Sequence, residues 1–378
     1  MRAEPRVPAG ALAAIRAPLS EGASSVDAPI LQPLGLLLEL AGEAMRARLF
    51  VVQAEGGEES CLRPDFTVPV TRQHLDAGAA SGRYYYEGKA FRASPDHPDR
   101  PEEFVQIGLE RFDAPGAPTL EADAEIAALA WRSALAGGRD DLLLWLGDIA
   151  LFAAFVDGLD LAPSLAARLK RAASRPRLLQ AELARAGAEP TAVESGALAD
   201  LLASRSPDQA AILLEEVWAL AGIEPVGGRG PAEIAQRLIR RAEAATAPAL
   251  TLRQADSLRR FLAVADTPPA ALAALRDIAG PKAGAFGAAL AEWERRLALL
   301  VQAGAPAGGL MLATALGHAF EYYDGLTFEV RSTALGADRP VAVGGRYDGL
   351  PVRLGGPAGA RAVGCMVRPW RAFAGGEA

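Results

Sequence analysis

Two neighbouring segments of alternating sequence carry side chains suited to binding a small polar ligand. In the segment Phe104–Glu110, residues Gln106, Gly108 and Glu110 share one face of a predicted strand, and the aliphatic residues between them share the other. A glycine between an amide and a carboxylate predicts a gap of side-chain size flanked by two hydrogen-bonding groups. We expect a small polar ligand to occupy this gap.

The preceding segment repeats the pattern and is joined to the first by a long loop. Gly88, Ala90 and Arg92 share one face, so small residues again leave space beside a charged one. Residues 93–102 are rich in Pro and Asp and too numerous for a tight hairpin, which makes them a candidate flap over that face. We interpret His97 in this loop as a solvated residue. The alternative is a solvent-exposed sheet face with glycines at bulges.

Strand-forming residues are concentrated towards both ends of the sequence, and helix-forming residues lie between them. β-Branched and aromatic residues are frequent from LFVVQ through CLRPDFTVPVTRQHL to EEFVQIGLERFD, and again after residue 305. Helical periodicity rich in Ala, Leu, Arg and Glu extends from about 120 to 305. The sequence therefore predicts an α+β core of residues 1–150 and 306–378, with a mostly helical inserted region at 151–305.

The composition argues against several classes of protein. Two cysteines and three histidines provide no metal-ligand spacing and no disulfide framework. A net charge of −7 is unfavourable for a chain whose main ligand is nucleic acid. The sequence contains no apolar run long enough to span a membrane, and its first 20 residues make a poor signal peptide. We expect a soluble cytoplasmic protein without a metal ion, a membrane or a nucleic acid as partner.

Several collinear segments resemble class II aminoacyl-tRNA synthetases, and specifically the histidyl-tRNA synthetase family. The motif 2 region is matched by LRPDFTVPV (62–70), YYYEGKAFR (84–92) and EEFVQIGLE (102–110). The histidine-specific motif is matched by EYYDGLTFE (321–329). Motif 3 and the segment that leads to it are matched by VGGRYDGL (343–350) and ARAVGCMVRPWR (360–371). One such motif would be a weak signal, but the whole set in register is a specific one. The resemblance implies the class II fold, an antiparallel sheet flanked by helices.

The resemblance also implies that the amino-acid pocket of the family has counterparts in this chain. The matching positions are Asp65, Thr67, Gln106, Glu110, Tyr322 and Tyr323. Carboxylates at Asp65 and Glu110 favour an ammonium group and a donating imidazole, while Gln106 and a tyrosine hydroxyl supply oriented hydrogen bonds. We therefore expect free L-histidine as the ligand, with Asp65 standing where the family usually has Glu.

The positions that the resemblance assigns to the nucleotide are only partly retained. Those that match phosphate contacts of the family are Arg92, Arg100 and Arg371. Those that depart from the family pattern are Ser94, Glu102, His318, Arg368 and Trp370. His318 replaces an arginine with a residue that is largely neutral at pH 7, and Glu102 reverses a charge near the phosphates. Each change alone is compatible with drift, but together they predict the loss of adenylation activity.

A synthetase-like chain without this chemistry resembles the regulatory subunits of ATP phosphoribosyltransferase, the first enzyme of histidine biosynthesis. The sequence stops soon after motif 3, so we expect no C-terminal anticodon-binding domain. The resemblance implies no cofactor, a short-form catalytic subunit as partner, often in a hetero-octamer, and L-histidine as allosteric effector. It also implies dimerisation around residues 31–39, where Pro33 resembles the motif 1 proline.

Two rival interpretations stay open. The first is a truncated amino-acid-activating enzyme, which predicts ATP–pyrophosphate exchange dependent on an amino acid; His318 and Glu102 count against it. The second is a sensor module that binds tRNA or a regulatory protein, and the acidic net charge counts against tRNA.

Overall fold

The computed structural model describes residues 3–41, 43–53, 57, 59–95, 97, 100–173, 175–187, 212–213, 248–280, 284–316 and 322–376. The chain forms two compact units, Met1–Gly158 with Arg260–Ala378, and Leu159–Arg259. All of the candidate site residues belong to the first unit. The division at residues 150 and 306 stays a prediction from the sequence.

The helices are α1 (Ala9–Ser20), α2 (Leu34–Ala41), α3 (Thr67–Asp76), α4 (Leu120–Leu135), α5 (Ile149–Asp157), α6 (Pro163–Arg171), α7 (Pro176–Ala184), α8 (Leu252–Leu262), α9 (Pro268–Ala279), α10 (Gly284–Gln302), α11 (Gly349–Arg353) and α12 (Pro369–Ala372). The strands are β1 (Ser24–Ser25), β2 (Leu31–Pro33), β3 (Val51–Val52), β4 (Ser60–Leu62), β5 (Gly82–Phe91), β6 (Glu103–Asp113), β7 (Leu142–Asp148), β8 (Ala265–Asp266), β9 (Leu310–Ala313), β10 (Leu326–Ser332), β11 (Ala342–Arg346) and β12 (Arg361–Val367). A 3-10 helix covers Glu43–Arg48.

A nine-stranded sheet in the order β1-β5-β6-β12-β11-β10-β7-β9-β8 forms the centre of the first unit. Its strands from β5 to β7 in this order are antiparallel, and β1 and β9 join their neighbours in parallel. β12 pairs with β6 on one side and with β11 on the other, so the sheet is assembled from distant parts of the sequence. The predicted α+β class with an antiparallel sheet is confirmed.

Helix α4 packs closely on one face of this sheet, because half of its buried positions are alanine. Its buried Asp123 lies 2.7 Å from Arg346 of β11 and 3.5 Å from Arg296 of α10. Arg296 also reaches Asp148 at 3.2 Å, and Asp148 caps the first turn of α5. Alternating cations and carboxylates therefore keep these buried charges paired, which lowers the free energy lost by removing them from water.

Two elements differ from the sequence prediction. TVPVTRQHLD has strand-forming residues, but Thr67–Asp76 is the helix α3, whose first residues are buried by tertiary packing. Conversely, LLLWLGD lies within the region predicted as helical and is β7. LLLWLGD is a short apolar run without a periodicity that separates a buried strand from a buried helix, whereas the β-branched residues of TVPVTRQHLD favour a strand. Tertiary packing decides the outcome in both segments.

Three properties of the described residues bear on the classes of protein considered above. None of their helices is long and apolar enough to cross a membrane. They contain no cluster of His, Cys, Asp and Glu that could hold a metal ion. Cys61 and Cys365 are both buried and carry free thiols.

Candidate ligand-binding site

A cavity of about 360 Å³ opens on the face of the sheet formed by β5, β6 and β12. Its lining includes five of the predicted amino-acid contacts, Asp65, Thr67, Glu110, Tyr322 and Tyr323. Its lining also includes the arginines Arg48, Arg92, Arg100, Arg331, Arg368 and Arg371. The cavity thus combines carboxylates and hydroxyls with guanidinium groups.

The Glu110 carboxylate is buried and held entirely by hydroxyl groups among the described residues. Thr67 Oγ1 donates to Oε1 at 2.8 Å, and Tyr347 OH donates to Oε2 at 2.5 Å. Tyr86 OH lies 3.4 Å from Oε1. Burial raises the pKa of Glu110 to about 8, although the Tyr347 and Thr67 hydroxyls act in the opposite direction. This carboxyl group is poised to accept a cation or a strong donor.

Asp65 provides a second buried carboxylate just before α3. Its Oδ2 accepts a hydrogen bond from Tyr322 OH at 3.0 Å, whereas Oδ1 is buried with no hydrogen-bond partner among the described residues. Burial raises the pKa of Asp65, and the positive charge of Arg92 partly offsets that effect. An unsatisfied buried acceptor is costly, so a donor from a ligand would relieve it.

Three tyrosine rings enclose the space beside these carboxylates. The Tyr322 and Tyr323 rings lie 4.9 Å apart, and both contact Tyr347 edge-on, with centroids 5.9 and 6.4 Å away. Burial raises the pKa of Tyr322 and Tyr323, so their hydroxyls stay protonated and able to donate. The rings exclude water while their hydroxyls offer directed hydrogen bonds.

Gln106 is fully buried beside the cavity face rather than on its lining. It pairs in register with Gly88 and shares the strand face of Glu110. Neither its amide oxygen nor its amide nitrogen has a hydrogen-bond partner among the described residues. A buried amide with both ends unsatisfied loses several kcal/mol relative to water, on the order of 2 to 7.

The glycine gaps predicted from the alternating pattern are filled by the protein itself. A side chain at Gly108 would meet the Tyr86 ring at 2.2 Å, and one at Gly88 would meet Arg63 at 2.7 Å and Phe66 at 2.9 Å. The expectation of a ligand directly over Gly108 is therefore wrong, because an aromatic ring from the neighbouring strand takes that place. The open space lies further along the face, among Glu110, Asp65 and the tyrosines.

Arginines form the other wall of the cavity. Arg92 Nε donates to the Pro64 carbonyl at 2.8 Å, and Arg371 donates to the Pro340 carbonyl at 3.0 Å. The Arg368 guanidinium lies 3.5 Å from the centroid of the Phe104 ring. Burial lowers the pKa of all three arginines, and their mutual repulsion adds to the effect on Arg92 and Arg371. This wall favours an anionic group.

Of the remaining positions singled out in the sequence, some line the cavity and others do not. Arg100 and Ser94 line the cavity, and Arg100 forms an ion pair with Asp338. Glu102 and Trp370 are half-buried and lie off the lining, and His318 falls outside the described residues. Arg92 N bonds the Glu102 carbonyl at 2.8 Å and closes the base of the loop, while His97 is exposed.

Sequence reasoning missed two hydroxyls that hold Glu110. Tyr86 lies on β5 two residues before Gly88, so the alternation already used for Gly88 and Arg92 would have placed it on the same face. Tyr347 follows β11 within VGGRYDGL and carries no periodic signal of its own. Only the fold brings it to Glu110, 237 residues away in the sequence.

The sheet and its site define a protein of the histidyl-tRNA synthetase class. The family model described as histidyl-tRNA synthetase matches residues 14–225 and 231–369. In structure, the chain is similar to an ATP phosphoribosyltransferase regulatory subunit/histidyl-tRNA synthetase of Bacillus halodurans (TM-score 0.61, 20% identity, 96% of this chain and 77% of that one). It is also similar to histidyl-tRNA synthetase of Nostoc sp. PCC 7120 (TM-score 0.60, 15% identity, 98% and 74%).

Relatives with higher sequence identity define the family within this class. The chain is 34% identical over 349 residues to the ATP phosphoribosyltransferase regulatory subunit of Brucella anthropi, covering 91% of each chain. It is 36% identical over 339 residues to the protein of the same name in Brucella canis, covering 88% of each. The chain belongs to the family of ATP phosphoribosyltransferase regulatory subunits.

Proposed function

We propose that this chain is the non-catalytic regulatory subunit of ATP phosphoribosyltransferase and that its cavity binds L-histidine as the effector. Family membership supports the regulatory role in the first step of histidine biosynthesis. The observation that supports this ligand assignment is the buried Glu110 carboxylate, which accepts hydrogen bonds from hydroxyl groups on one side of the cavity. The opposite wall of the cavity is cationic.

The polarity of the cavity matches a free amino acid with a basic side chain. Asp65 and Glu110 are suited to an ammonium group and an imidazole N–H, and Arg92 is suited to the ligand carboxylate. The unsatisfied Asp65 Oδ1 gains most from such a ligand, because Asp65 lines the cavity. L-Histidine supplies all of these partners in one small molecule.

The nucleotide side of the cavity supports a role without adenylation. Arg368 lies over the Phe104 ring and reduces the space open to a planar base. Arg100 is engaged by Asp338, so its charge is already balanced by the protein. Adenylation depends on preorganised cations at the reacting groups, and these departures act against that arrangement.

Control of the enzyme requires a partner chain. We propose that the partner is the catalytic phosphoribosyltransferase subunit, in a hetero-octamer, and that histidine shifts an equilibrium between two arrangements of the subunits. A coupling of about 1 to 3 kcal/mol is typical of such effectors. Histidine must contact the chain differently in the two arrangements, since equal binding to both shifts nothing.

We propose self-association through the small sheet β2-β4-β3. Ile30, Leu31 and Val51 are 48%, 54% and 46% exposed, which leaves an apolar strip beside the residues 31–39 singled out in the sequence. Leu31→Glu places a charge in this strip and should yield monomers in sedimentation experiments. Leu252→Glu, at an exposed leucine in the second unit, is the control. Unchanged dimers in Leu31→Glu would contradict this surface.

Calorimetric titration with L-histidine tests the ligand assignment. Glu110→Ala should weaken binding at least tenfold, because it removes a buried carboxylate that lines the cavity. Gln106→Ala should weaken binding less, because Gln106 is buried beside the lining. Glu103→Gln and Gln73→Ala alter exposed or half-buried side chains of the same types and should bind like the wild type. Pyrophosphate exchange should be undetectable, whereas exchange dependent on an amino acid would favour the activating enzyme.

A further inference from the structure

The short helix α11 lies between the tyrosine pair of the cavity and helix α2. The backbone amide of its first residue, Gly349, donates to Asp324 Oδ2 at 2.6 Å, and the amide of Asp348 donates to Asp324 Oδ1 at 3.1 Å. The guanidinium of its last residue, Arg353, donates to the carbonyl of Glu39 at 2.7 Å. The two ends of α11 are therefore attached to two different regions of the chain.

The first attachment lies directly beside the proposed ligand contacts. Asp324 follows the tyrosine pair in the sequence, and its own amide donates to the Arg346 carbonyl at 3.0 Å. Asp348 makes no side-chain cap for α11, because its carboxylate is engaged by Arg346 and Arg361 at 2.7 and 2.8 Å. Asp324 therefore supplies the acceptors that the first amides of the helix need.

The second attachment holds the last turn of α2. The carbonyls of Glu39 and Leu40 belong to that turn, where carbonyls have no partner within the helix, and Arg353 donates to them at 2.7 and 3.4 Å. A cation at this end of a helix also interacts favourably with the helix dipole. β2 ends at Pro33 and α2 begins at Leu34, so α2 directly follows a strand of the apolar strip proposed for self-association.

Buried packing joins the same elements between the two attachments. Tyr322 and Tyr347 belong to one buried apolar cluster with Leu350 of α11 and with Leu37 and Leu40 of α2. Protein interiors are close-packed, so a shift of one member is felt by its neighbours. A helix of five residues is too short to be stable alone, so α11 depends on its two attachments and on this cluster.

We propose that α11 couples the ligand cavity to the self-association strip, with Asp324 and Arg353 as its attachment points. This coupling rests on the ligand and the strip proposed above. A ligand that fixes the tyrosine pair also fixes Asp324, which favours the formed state of α11 and keeps Arg353 on the last turn of α2. Self-association acts from the other end, because it orders the strand that leads into α2. By linkage, the ligand and self-association then strengthen each other by the same factor.

Variants of the two attachment points test this coupling without any ligand. Both residues are exposed, so their substitution leaves the core intact. Asp324→Asn keeps one acceptor oxygen where two backbone amides need two, and it should weaken the dimer about fivefold in sedimentation equilibrium. Arg353→Met should weaken the dimer similarly. The double variant should be no weaker than Arg353→Met alone, because one broken attachment already interrupts the coupling.

Two exposed residues elsewhere provide matched controls for these variants. The carboxylate of Asp266 also accepts a backbone amide, and Arg276 forms an exposed ion pair. Asp266→Asn and Arg276→Met should leave the dimer unchanged. Dimers that respond to Leu31→Glu but not to Asp324→Asn, or additive effects in the double variant, would overturn the coupling and leave the strip intact. A monomeric wild type would overturn both.

Hydrogen exchange with L-histidine as the probe tests the coupling from the cavity. Saturating L-histidine should slow exchange of the amides of α11 and α2 in the wild type by about fivefold, while amides of β7 stay unchanged. In Arg353→Met, α11 should still be protected and α2 should not, although calorimetry shows that histidine binds. Histidine binding without any change in α2 would overturn the coupling. The absence of histidine binding would overturn the ligand assignment and, with it, this direction of the coupling.

Discussion

The two sides of the cavity stabilise buried charge in opposite ways. On the acidic side, Glu110 is surrounded by the neutral hydroxyls of Thr67, Tyr86 and Tyr347, and burial raises its pKa to about 8. On the cationic side, Arg368 relies on the carboxylate of Glu4. A carboxyl group can escape burial by taking up a proton, whereas a guanidinium stays charged at neutral pH. The acidic side therefore responds to pH, and the cationic side responds to its counter-ion.

The largest effect is expected on the cationic side, from separating Glu4 and Arg368. Either Glu4→Gln or Arg368→Met should lower the free energy of unfolding by about 3 kcal/mol, since each leaves a buried partner unpaired. The double variant should lose about 2 kcal/mol less than the sum of the single losses. Urea unfolding measures all four proteins.

The partly exposed pair Lys89–Glu103 provides the matched control for this cycle. Its coupling energy should stay below about 1 kcal/mol, because the Lys89 charge is exposed to solvent, which screens the pair. Equal coupling in the two cycles would show that burial of the Glu4–Arg368 pair has no energetic consequence.

A smaller effect is expected on the acidic side, at Gly364. A Cβ there would lie 1.6 Å from Glu110 Oε2 and 3.0 Å from the Leu109 carbonyl oxygen. Gly364→Ala should displace the carboxylate, lower stability by about 1 to 3 kcal/mol and weaken histidine binding. Gly308→Ala, where an added Cβ meets nothing within 4 Å, should bind histidine normally. Intact binding in Gly364→Ala would mean that Glu110 has another favourable position.

The pH dependence of stability should distinguish Glu110 from surface carboxylates. The folded pKa of Glu110 is raised from 4.5 to about 8, so its contribution to stability is fully present below pH 4.5 and is lost as the pH rises through 8. The side chain of the Glu110→Gln variant cannot ionise. Its free energy of unfolding should therefore rise relative to that of the wild type as the pH increases from 5 to 8. A constant difference for Glu110→Gln would contradict the raised pKa.

The smallest effect is expected at the rim, where Arg100 pairs with Asp338. The Asp338 side chain is 65% exposed, so Asp338→Asn should change the free energy of unfolding by less than about 1 kcal/mol. Thermal unfolding at low and high salt checks this value. A loss comparable to that of Glu4→Gln would show that the flap is held more tightly than its exposure indicates.

The sequence predicted those parts of the fold whose pattern is local. The common face of Gln106 and Glu110 on β6 follows from period 2 alone, whereas the register of β6 with β5 is given only by the structure. α3 and β7 were misassigned because tertiary packing overrides the local signal: the β-branched residues of α3 favour a strand, and the apolar run of β7 has no clear periodicity.

The candidate site shows the same division. Asp65, Thr67 and the tyrosine pair come from the family resemblance, and the structure brings them to one cavity. Tyr347 and Glu4 could not be found from the sequence, because their partners Glu110 and Arg368 lie 237 and 364 residues away. Contacts at such separations depend on the topology of the sheet, for which no short pattern exists.

The central position of β12 has a consequence for synthesis of the chain on the ribosome. β6 lacks its inner neighbour until residues 361–367 emerge, and Tyr347 reaches Glu110 across 237 residues. At a synthesis rate of roughly 5 to 20 residues per second, the edge of β6 stays unpaired for about 10 to 50 s. During that interval an unpaired, largely apolar strand edge is exposed to other nascent chains. Expression yield should therefore depend on chaperones that shield this edge, even though the finished protein buries it.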